Sequence, residues 1–384
     1  MKTYSIYTIL ISALVMTSCN KEMTKGLEDV SVSVTPGGNV TVDGQIVTVK
    51  KGEPVVFNIN GDPDFITFYS GEIGHQYTYN DRYETQIEDL VSSKLKFNIY
   101  QEGASYSGDR YNNTIDVFYT FTDAALGQEG FPGLSKTDFD SDSTLVADFY
   151  KNGKWIPVRE HSDYDNLALN VVDALKVELD VKNLIGKNLV VAVAYNADEV
   201  KNPSVAGASA TNQPKYYFDS MCIENVLKNN SVTTQYAGNF MFTALNFNHN
   251  YLYEKSIKDE ETDEKGNDWT SVSTYLPENL AYGTVTANVP GLWNMSSVAN
   301  GSFFIQGTGS TYEWKTAWLV SDPINILACE PDKGESVKNL SQDLPTYTYT
   351  YNNVGTYKAT FLITNTNYKH DKSQLFEIVV NVIE

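Results

Sequence analysis

The sequence is poor in positive charge, histidine and cysteine, and each shortage argues against a class of function. The 384 residues include 28 Lys and Arg against 48 Asp and Glu, for a net charge of −20 with His neutral. Nucleic acid and anionic lipid surfaces both require a basic patch, so neither is an expected partner. There are 4 His and 3 Cys, and Cys222 and Cys329 have no His near them in sequence, which argues against a metal site.

Long apolar runs are also scarce. Lys2 and the short apolar stretch Tyr4–Val15 form a signal-like start that is too short to span a bilayer as a helix. Small residues precede Cys19, and this pattern resembles a bacterial lipobox. The resemblance implies a signal peptide over 1–18, acylation of Cys19 and a lipidated tether over 19–27. We therefore expect a protein that is anchored to a membrane and does not cross it.

Aromatic and β-branched residues in short alternating runs are abundant. Tyr occurs 26 times and Phe 17 times. Residues 30–34 alternate as Val-Ser-Val-Ser-Val, residues 347–351 alternate Tyr with Thr, and Asp43-Gly44 is a hairpin dipeptide. Short strands separated by turn residues predict an all-β sandwich.

Both ends of the chain resemble parts of a polycystic-kidney-disease (PKD) repeat, which is an immunoglobulin-like sandwich. Gly52–Phe57 is similar to its opening strand, and Tyr347–Tyr351 with Gly355–Tyr357 is similar to its closing hairpins. The resemblance implies one sandwich formed by 28–82 plus 318–384 and split by an inserted domain; two separate sandwiches are the alternative. The residues expected in the core of the split sandwich are Phe57, Phe65, Trp318, Tyr357 and Phe361.

The middle of the chain has its own strand pattern. Strands are expected at 95–100, 114–121, 144–150, 155–158 and 188–195, and 167–179 fits either a helix or a strand pair. These short strands predict a jelly-roll-like sandwich over 90–290, followed by a connecting segment over 291–317. Residues 191–195 and 217–223 are similar to the last strands of galactose-binding-like jelly rolls, with Tyr217 in place of the usual Trp.

Three stretches resemble a family of Bacteroidetes envelope lipoproteins of unassigned function: 61–75, 77–82, and a third made of 318–324, 331–334 and 347–365. Asn20-Lys21-Glu22 is similar to the export tag of surface lipoproteins in that phylum. The resemblance implies an accessory lipoprotein of the outer membrane, exposed at the cell surface beside a starch-utilisation-type transporter pair. It further implies capture of a polysaccharide or oligosaccharide, and it supplies no catalytic residue.

Aromatic side chains are the expected sugar contacts, because a rigid amphipathic ring suits the flat C–H face of a sugar. The candidates are Trp155, Trp269, Trp293, Tyr77 and Tyr79, with core packing as the alternative for each Trp. Trp269 follows the charge-dense segment 258–268, which we expect to be an exposed loop.

Alternating oxygens at Asp138, Asp140 and Asp142 suggest a structural Ca²⁺ site, with a simple turn as the alternative. The segment is not an EF-hand, because Ser143 and Phe149 stand where Gly and Glu are required. No other cofactor is expected.

Catalytic motifs are missing from the sequence. It contains no Gly-x-Ser-x-Gly and no His-Glu-x-x-His. His161 is flanked by Glu160 and Asp163, which is also typical of a histidine in an acidic surface loop. We expect a non-enzymatic glycan-binding protein. The alternatives are a structural or adaptor lipoprotein and a glycoside hydrolase without a recognisable motif.

Overall fold

The computed structural model describes residues 27, 29–102, 114–124, 127–196, 214–247, 282–285, 288–289, 292–305, 316–366 and 371–384. Within these residues the protein is all-β and sandwich-like, with a single α-helix, which confirms the predicted fold class. The predicted signal peptide, Cys19 and Trp269 lie outside the described residues. The described part contains no helix that is long and apolar enough to cross a membrane.

The regular elements are numbered in chain order. The strands are β1 (Ser31–Val34), β2 (Thr41–Asp43), β3 (Ile46–Lys50), β4 (Pro54–Asn60), β5 (Phe65–Tyr69), β6 (Leu90–Glu102), β7 (Ile115–Phe121), β8 (Ile156–Pro157), β9 (Leu175–Asp180), β10 (Leu189–Asn196), β11 (Lys215–Leu227), β12 (Val232–Tyr236), β13 (Thr243–Asn246), β14 (Trp293–Ser297), β15 (Ser302–Ile305), β16 (Thr316–Val320), β17 (Glu335–Lys338), β18 (Thr346–Thr350), β19 (Gly355–Thr366) and β20 (Asp371–Ile383). The α-helix is α1 (Phe139–Lys151). Short 3-10 turns occur at Tyr77–Tyr79, Ile87–Asp89, His161–Tyr164, Lys182–Leu184, Ala237–Phe240 and Val298–Asn300.

The chain divides into two compact units. The described residues up to Tyr83, together with Glu330–Glu384, form the flanking unit, and Glu84–Cys329 forms the inserted unit. The flanking unit is therefore built from two segments that are far apart in sequence.

Both segments of the flanking unit contribute to both of its sheets. One sheet has the order β1-β4-β18 and the other β17-β5-β19-β20-β3-β2. The Asp43-Gly44 hairpin joins β2 to β3, and β3 pairs in parallel with β20. The core between the sheets includes Phe57 from the first segment and Phe361 from the second, with ring centroids 5.0 Å apart. Neither segment can bury this core alone.

Two of the expected core positions are corrected by the strand pattern. In β5 the inward side chains are Ile66 and Phe68, so Phe65 takes the alternate face and is half-buried. Trp318 is buried, but in the inserted unit, because β16 pairs with β10. The predicted boundary at residue 318 is therefore wrong, and the second flanking segment begins at Glu330.

The inserted unit is also a two-sheet sandwich. One sheet has the order β13-β16-β10-β7-β8, and the other has β14-β15-β11-β6-β9 with β12 pairing to β11. Strand β10 lies in the middle of its sheet and is buried along its whole length, as expected for a near-continuous apolar run. Strands β14 and β15 belong to this unit, so the prediction of a connecting segment over 291–317 is wrong for those residues.

Helix α1 covers the outer face of the five-stranded sheet, where a strand was expected at 144–150. Asp138 caps its N-terminus by accepting a hydrogen bond from Ser141 N at 3.1 Å. Val146 and Phe149 are buried three residues apart and pack with Trp318. The acidic first turn also favours the helix through its dipole, and these signals outweigh the local strand-like pattern.

The ambiguous segment 167–179 contains a strand rather than a helix, since β9 starts at Leu175 and pairs with β6. Cys222 and Cys329 both lie in the inserted unit, although the predicted boundary at residue 318 placed Cys329 in the flanking sandwich. Burial raises the pKa of the Cys222 thiol to about 11, so this cysteine is a poorly reactive part of the sheet.

Candidate functional site

One end of the inserted sandwich gathers many strand termini. Strands β6, β10, β13 and β15 end there, and β7, β11, β14 and β16 begin there. The two sheets are tied together at this end, where the Tyr195 hydroxyl donates a hydrogen bond to the Pro214 carbonyl at 3.1 Å. Loops carried by a rigid sandwich end are common positions for binding residues.

A row of three aromatic side chains crosses the outer face of the six-stranded sheet at this end. Tyr217 in β11 is directly opposite Tyr100 in β6 and Phe304 in β15. The Tyr100 and Tyr217 rings are stacked, with centroids 4.9 Å apart and 5° between their planes. The Tyr217 and Phe304 centroids are 4.6 Å apart, with 30° between the planes. We name Tyr100, Tyr217 and Phe304 the aromatic row.

The aromatic row is half-exposed because successive side chains of a strand point to opposite faces of the sheet. Its members alternate along their strands with fully buried neighbours such as Ile99, Tyr216 and Phe303, which point into the core. The three rings pack against one another across the strands and are each partly exposed. Cross-strand aromatic pairs stabilise a sheet. Three adjacent, partly exposed aromatic side chains on a solvated face are also a candidate contact surface for a ligand.

Charged groups border the row on the side of Glu102. The Tyr217 hydroxyl donates to Glu102 Oε2 at 2.6 Å, and Lys215 Nζ lies 3.3 Å from the same oxygen. The hydrogen bond from Tyr217, followed by the charge of Lys215, holds the pKa of Glu102 below its ordinary value. Glu102 therefore stays ionised at neutral pH.

Polar groups border the opposite side of the row around Asp219. Its carboxylate accepts hydrogen bonds from Ser302 Oγ at 2.9 Å, Ser220 Oγ at 3.0 Å and Asn98 Nδ2 at 3.3 Å. The β6–β11 register shifts just after Asp219, and Ser220 has a positive φ of 55°. Such bulges re-aim side chains and are common beside binding sites.

The phenol of Tyr100 lies between these two acidic borders. Burial raises the pKa of Tyr100, and the charges of Asp219 and Glu102 raise it further. The row thus combines apolar ring surface with phenol hydroxyls and carboxylates. This is the mixture that proteins use to hold a polyhydroxylated ligand, in which each hydroxyl can donate to a carboxylate while C–H groups contact rings.

The segment 168–175, which runs beside the part of β6 that carries Tyr100, contains an exposed apolar residue. Gln101 N donates to the Ala168 carbonyl at 2.9 Å, and Leu175 pairs with Ile99, so residues 168–175 return beside this part of β6. Within that segment Val172 is 85% exposed.

A known protein family matches the first part of the chain, which includes one strand of the aromatic row. Residues 18–124 match a family described as a domain of unknown function (DUF5017). The matched range contains the first flanking segment and the first two strands of the inserted unit, β6 and β7. Tyr100 and Glu102 lie inside the match, whereas Tyr217 and Phe304 lie outside it. No curated protein matches the chain.

The two predicted tryptophan platforms that the structure describes are core residues. Trp155 is 4% exposed, and its indole N–H donates to the Val146 carbonyl beneath helix α1. Trp293 is fully buried between the sheets of the inserted unit. Neither ring presents a face to a ligand, which corrects the prediction for both. The large apolar area of each ring is better buried in the core than left on the surface.

Tyr77 and Tyr79 lie in the flanking unit, in the segment that resembles the lipoprotein family. Both are half-buried, and the Arg82 guanidinium lies 4.0 Å above the Tyr79 ring. Arg82 Nη2 also contacts Asp332 Oδ1 at 3.1 Å, and Asp332 Oδ2 accepts from Gln76 N. The Tyr77 ring packs edge-on against Tyr69, with centroids 5.3 Å apart. These contacts fix the loop, so a structural role already accounts for both tyrosines.

The predicted Ca²⁺ ligands do not converge. Asp138 is the exposed helix cap, Asp140 is exposed, and Asp142 is buried where its carboxylate accepts hydrogen bonds from Ser135, Lys136 and Tyr282. Positions two residues apart on a helix point in nearly opposite directions, so the alternation that suits a loop separates these groups. Among the described residues no group of three His, Cys, Asp or Glu could hold a metal ion. The calcium prediction is therefore wrong.

A carboxylate–histidine pair lies on the other sheet and was not predicted. His161 Nδ1 lies 2.7 Å from Asp116 Oδ1, whereas sequence analysis noted only its neighbours Glu160 and Asp163. Asp116 is buried in β7, and about half of the His161 side chain is exposed. The carboxylate orients the imidazole, and catalysis would also require a nucleophile or a metal. Their separation in sequence left no local signal of the pair.

Proposed function

We propose that this protein captures glycan at the aromatic row of its inserted unit and is not an enzyme. The observation that carries the proposal is the half-exposed row of Tyr100, Tyr217 and Phe304, bordered by Glu102 and Asp219. Apolar ring surface between hydrogen-bonding carboxylates suits a ligand that presents both C–H groups and hydroxyls.

We further propose that the protein is a lipoprotein of the outer membrane, anchored through Cys19 and exposed at the cell surface. The lipobox-like residues before Cys19 and the resemblance to Bacteroidetes lipoproteins support this location. In this setting the captured polysaccharide or oligosaccharide passes to a starch-utilisation-type transporter pair. Replacing Cys19 by Ala removes the acylated thiol, so the variant should leave the membrane fraction and enter the aqueous phase of a detergent partition. Retention of the processed variant in the detergent phase would contradict the anchor.

Affinity electrophoresis through gels that contain plant, yeast or host polysaccharides tests the binding proposal. The wild-type protein should be retarded by at least one polysaccharide, and Tyr217→Ala should migrate as it does in an empty gel. Tyr236→Ala is the matched control, because Tyr236 is an exposed tyrosine on β12 of the same sheet, outside the row. It should be retarded like the wild type.

Other outcomes favour the alternatives. An absence of retardation in every gel would contradict glycan capture and favour a structural or adaptor role. Release of reducing sugar that is lost in His161→Ala would instead favour a hydrolase that uses the Asp116–His161 pair.

A further inference from the structure

The charges beside the aromatic row restrict the class of glycan that it can hold. Glu102 lies on one side of the row and Asp219 on the other, and Lys215 is the cation in contact with Glu102. Lys215 Nζ also lies 5.9 Å from the centre of the Phe304 ring. Among the described residues, a ligand on the row therefore meets the carboxylates of Glu102 and Asp219 and the ammonium group of Lys215, which is already paired.

Two lysines at the next positions along the same face are also paired with carboxylates. Lys96 Nζ contacts Glu224 at 3.0 Å and Glu178 at 3.7 Å, and Lys94 Nζ contacts Glu178 at 2.6 Å. Lys94 and Lys96 are thus paired, whereas Lys176, opposite Asn98 in β9, is exposed. The chain as a whole carries a net charge of −20, so the long-range field is also negative.

We propose that the aromatic row binds neutral glycans and rejects glycans that carry uronate or sulfate groups. This inference rests on the proposed function and names its ligand class. Neutral sugar hydroxyls donate charge-assisted hydrogen bonds to Glu102 and Asp219, which are among the stronger hydrogen bonds in proteins. An anionic sugar on the same surface places like charges side by side, which costs affinity and slows association.

Matched polysaccharides test the inference. Polygalacturonate, alginate and hyaluronan are each compared with the same polymer after its carboxyl groups are reduced to alcohols, next to neutral glucans, mannan and xylan. Retention of the wild-type protein should be confined to neutral polymers, with each acidic form bound at least about tenfold more weakly than its reduced form. The difference should shrink as salt is added, because salt screens the repulsion.

Variants locate the effect. Glu102→Gln keeps the shape of the side chain and removes its charge, so it should narrow the ratio between reduced and acidic polymers. Asp219→Asn should act in the same direction, and Glu102→Gln preserves the test if Asp219→Asn does not fold. Glu335→Gln is the matched control: Glu335 also accepts a tyrosine hydrogen bond, from Tyr347 at 3.0 Å, but in the flanking unit. Its ratio should equal that of the wild type.

Each result decides between the two proposals. Equal or tighter binding of any acidic form, lost in Tyr217→Ala, would overturn the neutral-glycan inference and leave glycan capture intact. Binding of none of the polymers would overturn both. Neutral binding that no row variant changes would overturn the assignment of the site.

Discussion

Gly71 marks a place where the two flanking segments approach so closely that a side chain cannot fit. Its φ is +84°, and a Cβ built on it would lie 2.5 Å from the backbone nitrogen of Lys358 in β19. Gly74 has nearly the same φ, +83°, but its Cβ would meet nothing within 4 Å. The two glycines therefore form a matched pair that separates backbone conformation from packing.

The expected costs follow from this difference. Gly74→Ala places an L-residue in the left-handed region, which costs about 1–2 kcal/mol. Gly71→Ala has the same cost and must also displace the β19 backbone, which adds about 1–3 kcal/mol by analogy with overpacked cores. Since the whole stability of a domain is about 5–15 kcal/mol, the Gly71 variant should lose a large fraction of it.

Urea unfolding followed by far-UV circular dichroism measures both variants against the wild type. All five tryptophans of the sequence lie between residues 155 and 318, in the range of the inserted unit, so tryptophan emission reports on that unit separately. The dichroism midpoint should fall further for Gly71→Ala than for Gly74→Ala. Equal midpoints for the two variants would refute the close approach of the first segment to β19.

Two further predictions concern the buried carboxylate of Asp116 and the exposed carboxylate of Glu102. His161→Ala removes a hydrogen-bond partner from the buried Asp116, so the free energy of unfolding should fall by about 1–3 kcal/mol. The control Ser162→Ala, at an exposed position, should change it by no more than about 0.5 kcal/mol. Thermal unfolding measures both variants, and equal shifts of their melting temperatures would contradict the pairing. Tyr217→Phe removes the main cause of the lowered pKa of Glu102, so that pKa should rise toward its ordinary value of 4.5 in a carbon-detected NMR titration. Because the pKa of Glu102 is depressed in the folded state, its contribution to stability is present above pH 4.5 and is lost as the pH falls through the folded pKa. The loss of stability over this pH range should be smaller in Tyr217→Phe than in the wild type. An unchanged Glu102 pKa in the variant would contradict the hydrogen bond.

Most strands could be predicted from the sequence, because period-two alternation and turn residues are local signals. The Asp43-Gly44 hairpin, the alternating β18 and the apolar β10 all form as expected. Helix α1 was missed because residues 144–150 also fit a strand pattern. In addition, the side-chain oxygen of Asp138, which caps the helix, was interpreted as a calcium ligand. A cap and a metal ligand both need a side-chain oxygen at a turn, so the residue type alone does not separate them.

The candidate site could not be predicted, because it depends on register between distant strands. Tyr100, Tyr217 and Phe304 become neighbours only once β6, β11 and β15 pair with one particular alignment. A shift of one residue would send each ring to the opposite face of the sheet. Trp155 and Trp293 were wrong candidates for a similar reason: their residue type suits sugar contact, but the tertiary fold buries both side chains in the core.

The most direct test of glycan capture at the aromatic row is a calorimetric titration with the polysaccharide that retards the wild-type protein most strongly in gels. Tyr217→Ala removes the central ring of the row and should weaken binding at least about tenfold, as truncation of an aromatic anchor does at other binding surfaces. Tyr236→Ala, on β12 of the same sheet, should bind with the wild-type dissociation constant. Equal affinities for Tyr217→Ala and Tyr236→Ala would contradict the account and place any glycan site elsewhere on the protein.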